Sequence, residues 1–212
     1  MAGITDAPFR KICRKYGAGL TVSEMTTADI ELWKTKKSKR RLNIDMDTEP
    51  KVVQIAGSEP YLMGLAANLC AANGVQIIDI NMGCPAKKVC NKLAGSALLK
   101  DIKQVRKILK SVIAAVDIPV TLKMRTGWDN NTKNAPEIAK IAENEGIKLI
   151  TIHGRTRSCH FRGDAEYKTI AQIKKLVTIP VVANGDITTP EKSLEVLRIS
   201  CADALMIGRA AR

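Results

Sequence analysis

The sequence predicts an α/β fold of the (β/α)8 barrel type, and three observations point to it. Short β-branched apolar runs recur along the chain with amphipathic helical segments between them, the pattern of parallel strands joined by helical crossovers. The phrase Asp117-Ile-Pro-Val120 returns as Thr178-Ile-Pro-Val181, each time closing a helix and opening a strand. Most runs end in glycine or polar turn residues, where parallel barrels carry their chemistry. Counting the turn at Ala2-Gly3 as the stub of a first strand gives eight strands, with that strand and the last helix incomplete. A doubly wound sheet is the alternative. Against its dinucleotide fingerprint, Gly17-Ala18-Gly19 lacks the third glycine of G-x-G-x-x-G and precedes a strand.

Taken in order, Thr5 or Asp6 can cap a helix running from Arg10 to Tyr16. Leu20–Met25 (LTVSEM) reads as a strand, followed by a polar helix and the basic run Lys34, Lys36, Lys37, Lys39, Arg40, Arg41, read as a solvated surface loop. Lys51–Ala56 (KVVQIA) is a strand ending at Gly57, and Tyr61–Asn73 has the spacing of a packed helix. Val75–Ile80 is a nearly continuous apolar strand broken at Gly83 and Pro85. Lys100–Val116 alternates apolar and basic residues at helical period, and Pro119 introduces the strand Val120–Met124. Then follow helix Pro136–Glu145 closed by Gly146, strand Leu149–His153, helix Tyr167–Val177, strand Pro180–Ala183, helix Pro190–Ile199 and strand Ala204–Ile207.

At 212 residues and 45% hydrophobic content, the chain can bury one core and reads as a single domain, residues 1–212. No apolar run approaches the roughly 18 residues of a membrane span. Asp6, Arg10 and Lys11 stand where a signal peptide needs apolar residues. The six cysteines are scattered without a C-x-x-C pair, and the two histidines, His153 and His160, make a poor ligand set with Cys159. A reduced, cytoplasmic, metal-free monomer is expected. The net charge of +13 favours a polyanionic partner, whereas the 3% aromatic content argues against stacking platforms for single strands.

The stretch Gln76–Pro85 (QIIDINMGCP) sets a thiol, Cys84, just past a strand's C-terminal end, the edge that carries active sites in parallel folds. A thiol kept only for packing belongs inside the apolar run. If the barrel closes, the same mouth collects Ala2-Gly3, Gln54, Asn81, Lys123 with Arg125, His153, Asn184-Gly185-Asp186 and Gly208-Arg209. Glycines at the last two strands suit phosphate binding, or are ordinary turn residues. Lys123 can stabilise negative charge growing on a cofactor ring or substrate oxygen, or form a structural salt bridge. Gln54 and Asn81 offer amides to a heterocycle edge, and His153 can meet a cofactor or cap its strand.

These residues together resemble the tRNA-dihydrouridine synthases, and within them the bacterial DusB-like branch. The resemblance runs through MAGITDAPFR, LTVSEM, VVQIAGS, IIDINMGCPAKKV, KLAGSALL, VTLKMRTGW, TIHGRTR, VVANGDIT and ADALMIGRAA. It implies a barrel holding FMN, reduced by NADPH, that reduces a tRNA uridine to 5,6-dihydrouridine, with hydride passing to C6 and Cys84 giving a proton to C5. An unperturbed thiol, with a pKa of about 8.5, suits an acid. FMN contacts are implied at Met1, Ala2, Gln54, Lys123, His153, Asn184, Gly185, Asp186, Gly208 and Arg209. Substrate contacts are implied at Asn81, Lys87, Lys88, Arg125 and Arg155. Cys90 stands where a polar residue is expected. The family pattern also extends before MAGITD and beyond GRAA into a C-terminal helical domain, so a truncated member is expected. The alternatives are an FMN barrel acting on a free pyrimidine and an RNA-binding remnant without activity.

Overall fold

The computed structural model describes residues 3–44 and 49–211. In chain order its elements are α1 (Ala7–Lys15), β1 (Thr26–Thr27), α2 (Lys36–Leu42), β2 (Val52–Ala56), α3 (Pro60–Ala72), β3 (Ile77–Met82), α4 (Lys87–Cys90), α5 (Ile102–Ala114), β4 (Val120–Arg125), α6 (Ala135–Glu145), β5 (Leu149–His153), α7 (Lys168–Leu176), β6 (Val181–Asn184), α8 (Pro190–Ser200) and β7 (Ala204–Met206). Short 3-10 turns lie at Ile30–Lys34, Gly95–Lys100 and Arg209–Ala211. The strands form one parallel seven-stranded sheet in sequence order, β1 to β7, the arrangement of an α/β barrel of the TIM type. The predicted first strand at Ala2 lies outside the described residues.

Period-two alternation sorts the strands into two faces. Val53 and Ile55 of β2, Ile78, Ile80 and Met82 of β3, Leu122 and Met124 of β4, and Ile150 and Ile152 of β5 are fully buried in the apolar core. They meet helix positions spaced three and four apart, such as Val105, Ile108, Leu109 and Val112 of α5. Each such side chain contributes roughly 1.5–3 kcal/mol by leaving water. The intervening residues are polar and equally enclosed: Gln54, Asp79, Asn81, Thr121, Arg125, Thr151 and Asn184 are all at most 9% exposed. The sheet therefore has an oily face toward the helices and a polar face toward the barrel axis.

Helix ends follow capping chemistry. Asp6 accepts from the Phe9 N–H, Asp101 from Gln104 and Thr189 from Lys192, while Gly146 ends α6 at φ 106°, a conformation that glycine adopts without strain.

The structure corrects the sequence reading in three places. Leu20–Met25 contributes only a bridge, Val22 to Val52, and the regular strand is Thr26–Thr27. At Ser23 the hydroxyl accepts the Gln54 N–H at 3.1 Å, so pairing passes through a side chain there. The basic run is not a loop: residues 36–42 form α2, capped by Thr35 on the Ser38 N–H and docked through Leu42 and an Arg41–Glu24 contact at 3.7 Å. β3 begins two residues later than predicted and continues through Asn81 and Met82, because Asn81 pairs in register with Lys123.

Candidate active site

β3 delivers the thiol to the barrel mouth. Asn81 turns its side-chain oxygen onto the N–H groups of Gly83 (3.1 Å) and Cys84 (3.0 Å), an Asx-type turn that fixes the reversal. Its Nδ2 donates to Gln54 Oε1 at 2.7 Å, and Gln54 Nε2 donates to Asp79 Oδ2 at 2.7 Å. Thr121 Oγ1 donates to the other Asp79 oxygen at 2.6 Å. Beyond the turn, the Cys84 carbonyl accepts from Ser96 Oγ at 2.8 Å. Gly95 closes over the same carbonyl, which would lie 2.9 Å from a Cβ added there. Cys84 is half-buried, and that burial raises its pKa above the usual thiol value, so it carries its proton at neutral pH.

Lys123, from β4, donates to Asn184 Oδ1 at 3.0 Å, and Asn184 Nδ2 in turn donates to the Met206 carbonyl at 2.7 Å. Burial lowers the lysine's pKa to about 8, with Asp79 pulling the other way. The same burial raises the pKa of Asp79. His153, paired with Asn184 in the sheet register, has a buried Nδ1 without a hydrogen-bond partner among the described residues. Burial, reinforced by the charges of Lys123 and Arg125, pushes its pKa down to about 2. The imidazole is neutral, with one ring nitrogen to donate and one to accept.

The loops after β5 and β6 are clamped together. Arg155, 4% exposed, donates to Asp186 Oδ1 at 2.9 Å and Oδ2 at 2.5 Å, and its Nε donates to the Gly163 carbonyl at 3.2 Å. Asp186 also accepts the Ala165 N–H at 2.8 Å. Burial alone would raise the Asp186 pKa, but the Arg155 and Ala165 bonds bring it below the usual carboxylate value. Gly185 precedes it at φ 122°, and a β-carbon there would sit 2.8 Å from that of Ala165. Arg125, 2% exposed, donates to the carbonyls of Gly83 (2.9 Å), Thr156 and His160 (2.8 Å each). Phe161, half exposed, lies 5.4 Å from the Arg125 guanidinium and 4.8 Å from that of Arg209.

The expected site residues thus divide. Gln54, Asn81 and Cys84 are joined by one hydrogen-bond chain, and Lys123 and Asn184 are bonded to each other on the same strand ends. Asp186 and Arg209 approach to 3.8 Å, with Gly185 and Gly208 at the same corner. Lys87 and Lys88 are exposed on α4, directly after the thiol turn. Arg125 and Arg155, expected at the substrate, are enclosed and bonded to protein carbonyls and to Asp186, so they act in building the rim. Met1 and Ala2 lie outside the described residues. Sequence reasoning missed Asp79 and Thr121, whose signal was the polar i, i+2 spacing within β3 and β4, and Phe161, an aromatic in a polar loop. Among the described residues no group of three or more histidine, cysteine or acidic side chains is placed to hold a metal.

Fold and site together define a parallel α/β barrel protein that presents a protonated thiol, a lysine and three side-chain amides at its strand ends. Its family follows from comparison with known proteins. The model of the family described as dihydrouridine synthase matches residues 1–212, and the chain belongs to that family. It is 58% identical over 212 residues to tRNA-dihydrouridine synthase B of Pseudomonas syringae pathovar tomato, covering all of this chain and 63% of the relative. It is 57% identical over 212 residues to the protein of that name in Vibrio parahaemolyticus, covering all of this chain and 66% of the relative. The chain thus spans just under two thirds of the length of these relatives. Among solved structures, a 2-naphthoyl-CoA reductase matches at TM-score 0.70 and 14% identity over 97% of this chain and 44% of that one. An N-acetylmannosamine-6-phosphate 2-epimerase from Clostridium perfringens matches at TM-score 0.57 and 14% identity, covering 97% of this chain and 78% of that one. At such identities these two share the barrel fold alone.

Proposed function

We propose that this chain carries the catalytic barrel of an FMN-dependent enzyme, reduced by NADPH, that converts uridine in tRNA to 5,6-dihydrouridine. One observation carries the reading: a half-buried thiol that keeps its proton at neutral pH is held by the Asn81 turn on the mouth that also presents Lys123 and the amides. The donor set fits a flat heterocycle with carbonyl edges. Lys123 answers negative charge, Gln54 and Asn184 offer amides, and the buried Nδ1 of His153 is left for a ligand. Bound there, FMN would supply the hydride for C6 of the uracil ring. Gly185, Asp186, Gly208 and Arg209 would sit at its phosphate end.

Cys84 does the acid's part. Its Sγ holds a proton for C5, and burial keeps that proton in place until the carbon accepting it gains electron density. Asn81 fixes the thiol's position through two backbone N–H groups. The uridine has to leave its stack to reach the mouth, and exposed Lys87 and Lys88 beside Cys84 suit the displaced strand's phosphates.

The test is incubation of the chain with FMN, NADPH and unmodified tRNA, followed by mass measurement of the nucleosides. A gain of about two daltons on a uridine is expected, matching one hydride and one proton. Cys84→Ala should bind FMN normally and lose at least about a hundredfold in rate. A colourless protein that cannot be reconstituted with FMN, or turnover on free uracil but not on tRNA, would overturn the reading.

A further inference from the structure

The chain of contacts behind Cys84 has a direction. Amide side chains are unsymmetrical, with one end that donates and one that accepts, so a row of them needs something at its head to fix which way round it lies. Asp79 stands there. Its oxygens accept from Thr121 at 2.6 Å and from Gln54 Nε2 at 2.7 Å. Gln54 is thereby obliged to turn its oxygen toward Asn81, whose Nδ2 donates to it at 2.7 Å. Asn81 in turn must point its oxygen at the N–H groups of Gly83 and Cys84. Were the row reversed, the Asn81 Nδ2 would face those two N–H groups, donor against donor, and the turn would open.

We propose that Asp79 is a positioning residue for the proton donor, setting the polarity of a Gln54–Asn81 amide relay that holds Cys84 at the barrel mouth. This rests on the reading of Cys84 as the acid. Asp79 is 3% exposed and lies in β3 two residues before Asn81, so it acts on Cys84 only through its neighbours.

Two substitutions separate this role from that of a counter-charge for Lys123. Asp79→Leu removes both acceptor oxygens while keeping the same branched skeleton. Asp79→Asn removes the charge yet keeps one oxygen for Gln54, because the Thr121 hydroxyl can reverse, accept from the new amide and send its proton to the Ile78 carbonyl 3.5 Å away. The measurement is the rate at which iodoacetamide alkylates Cys84 in the whole chain, read from the mass of its peptide. A pH series separates changed ionisation from changed access, and folding is checked by circular dichroism. Asp79→Leu is expected to react about fivefold faster than the parent, and Asp79→Asn within about twofold of it. Parental reactivity in a folded Asp79→Leu protein overturns the proposal, and so does equal acceleration in both variants, which would leave only the charge. Should Asp79→Leu fail to fold, Gln54→Leu decides, since it cuts the relay while leaving Asp79 intact: about fivefold acceleration supports the relay and parental reactivity overturns it. Alkylation needs neither FMN nor tRNA, so this result stands apart from that of the tRNA assay.

Discussion

At the scale of single residues, burial governs the site's titration. His153 has a pKa of about 2 in the fold against 6.5 in its absence. Between those values the unfolded chain binds a proton that the folded chain refuses, so stability falls as pH drops through 6.5. Between pH 6.5 and pH 5 the loss from this one ring is on the order of 1–2 kcal/mol. His153→Asn should flatten the pH dependence of the urea midpoint over that window, and an unchanged slope would acquit the ring. Lys123 runs in the same direction at higher pH. With a folded pKa of about 8 against 10.5, its desolvation cost eases as pH rises between these values. Over the same rise the site loses its cation, so FMN affinity followed by flavin fluorescence is expected to weaken above pH 8. Affinity that stays level to pH 10 would remove Lys123 from the proposed cofactor site.

Much at this scale was legible beforehand. Cys84, His153 and Asn184 stand at or just beyond strand ends and Lys123 two residues inside one, and position in a parallel fold carries meaning. Asp79 was not, because an apolar run with one carboxylate reads as a buried strand until its neighbours' polar alternation is laid beside it. Arg125 and Arg155 mark a different limit: a guanidinium that grips a rim carbonyl and one that grips a phosphate have the same sequence signature.

At the scale of elements, close approaches between strand ends and loops hold the mouth together. Gly154, directly after β5, donates to the Asn184 carbonyl at 2.9 Å and accepts from the Glu166 N–H at 2.7 Å. A β-carbon at Gly154 would lie 2.3 Å from the Glu166 carbonyl oxygen, a backbone atom that those bonds keep from retreating. Gly154→Ala is therefore expected to cost about 1–3 kcal/mol by thermal melting. Gly19→Ala, with nothing within 4 Å, should be near neutral. Equal melting of the two variants would deny the constraint. Among elements, α4 and the 3-10 turn at Gly95–Lys100 escaped the sequence because neither is long enough to show a period. α2 was hidden by its composition, although the Thr35 cap was present to be read.

At the scale of the molecule, the dominant property is charge. With 34 lysines and arginines against 21 acidic residues, the proposed tRNA binding should weaken steeply with salt. Lys87→Ala with Lys88→Ala should lower the slope of log affinity against log salt by about 1 to 2, measured by filter binding across a salt series. An unchanged slope would place the RNA elsewhere on the surface.

The clamp between Arg155 and Asp186 has a consequence for how this rim can change. Two loops fastened to each other in this way cannot drift independently: an insertion that lengthens the segment after β5 drags the corner after β6 with it. Variation in the one should be matched by compensation in the other, so a designer remodelling this side of the barrel would have to treat both as a single part.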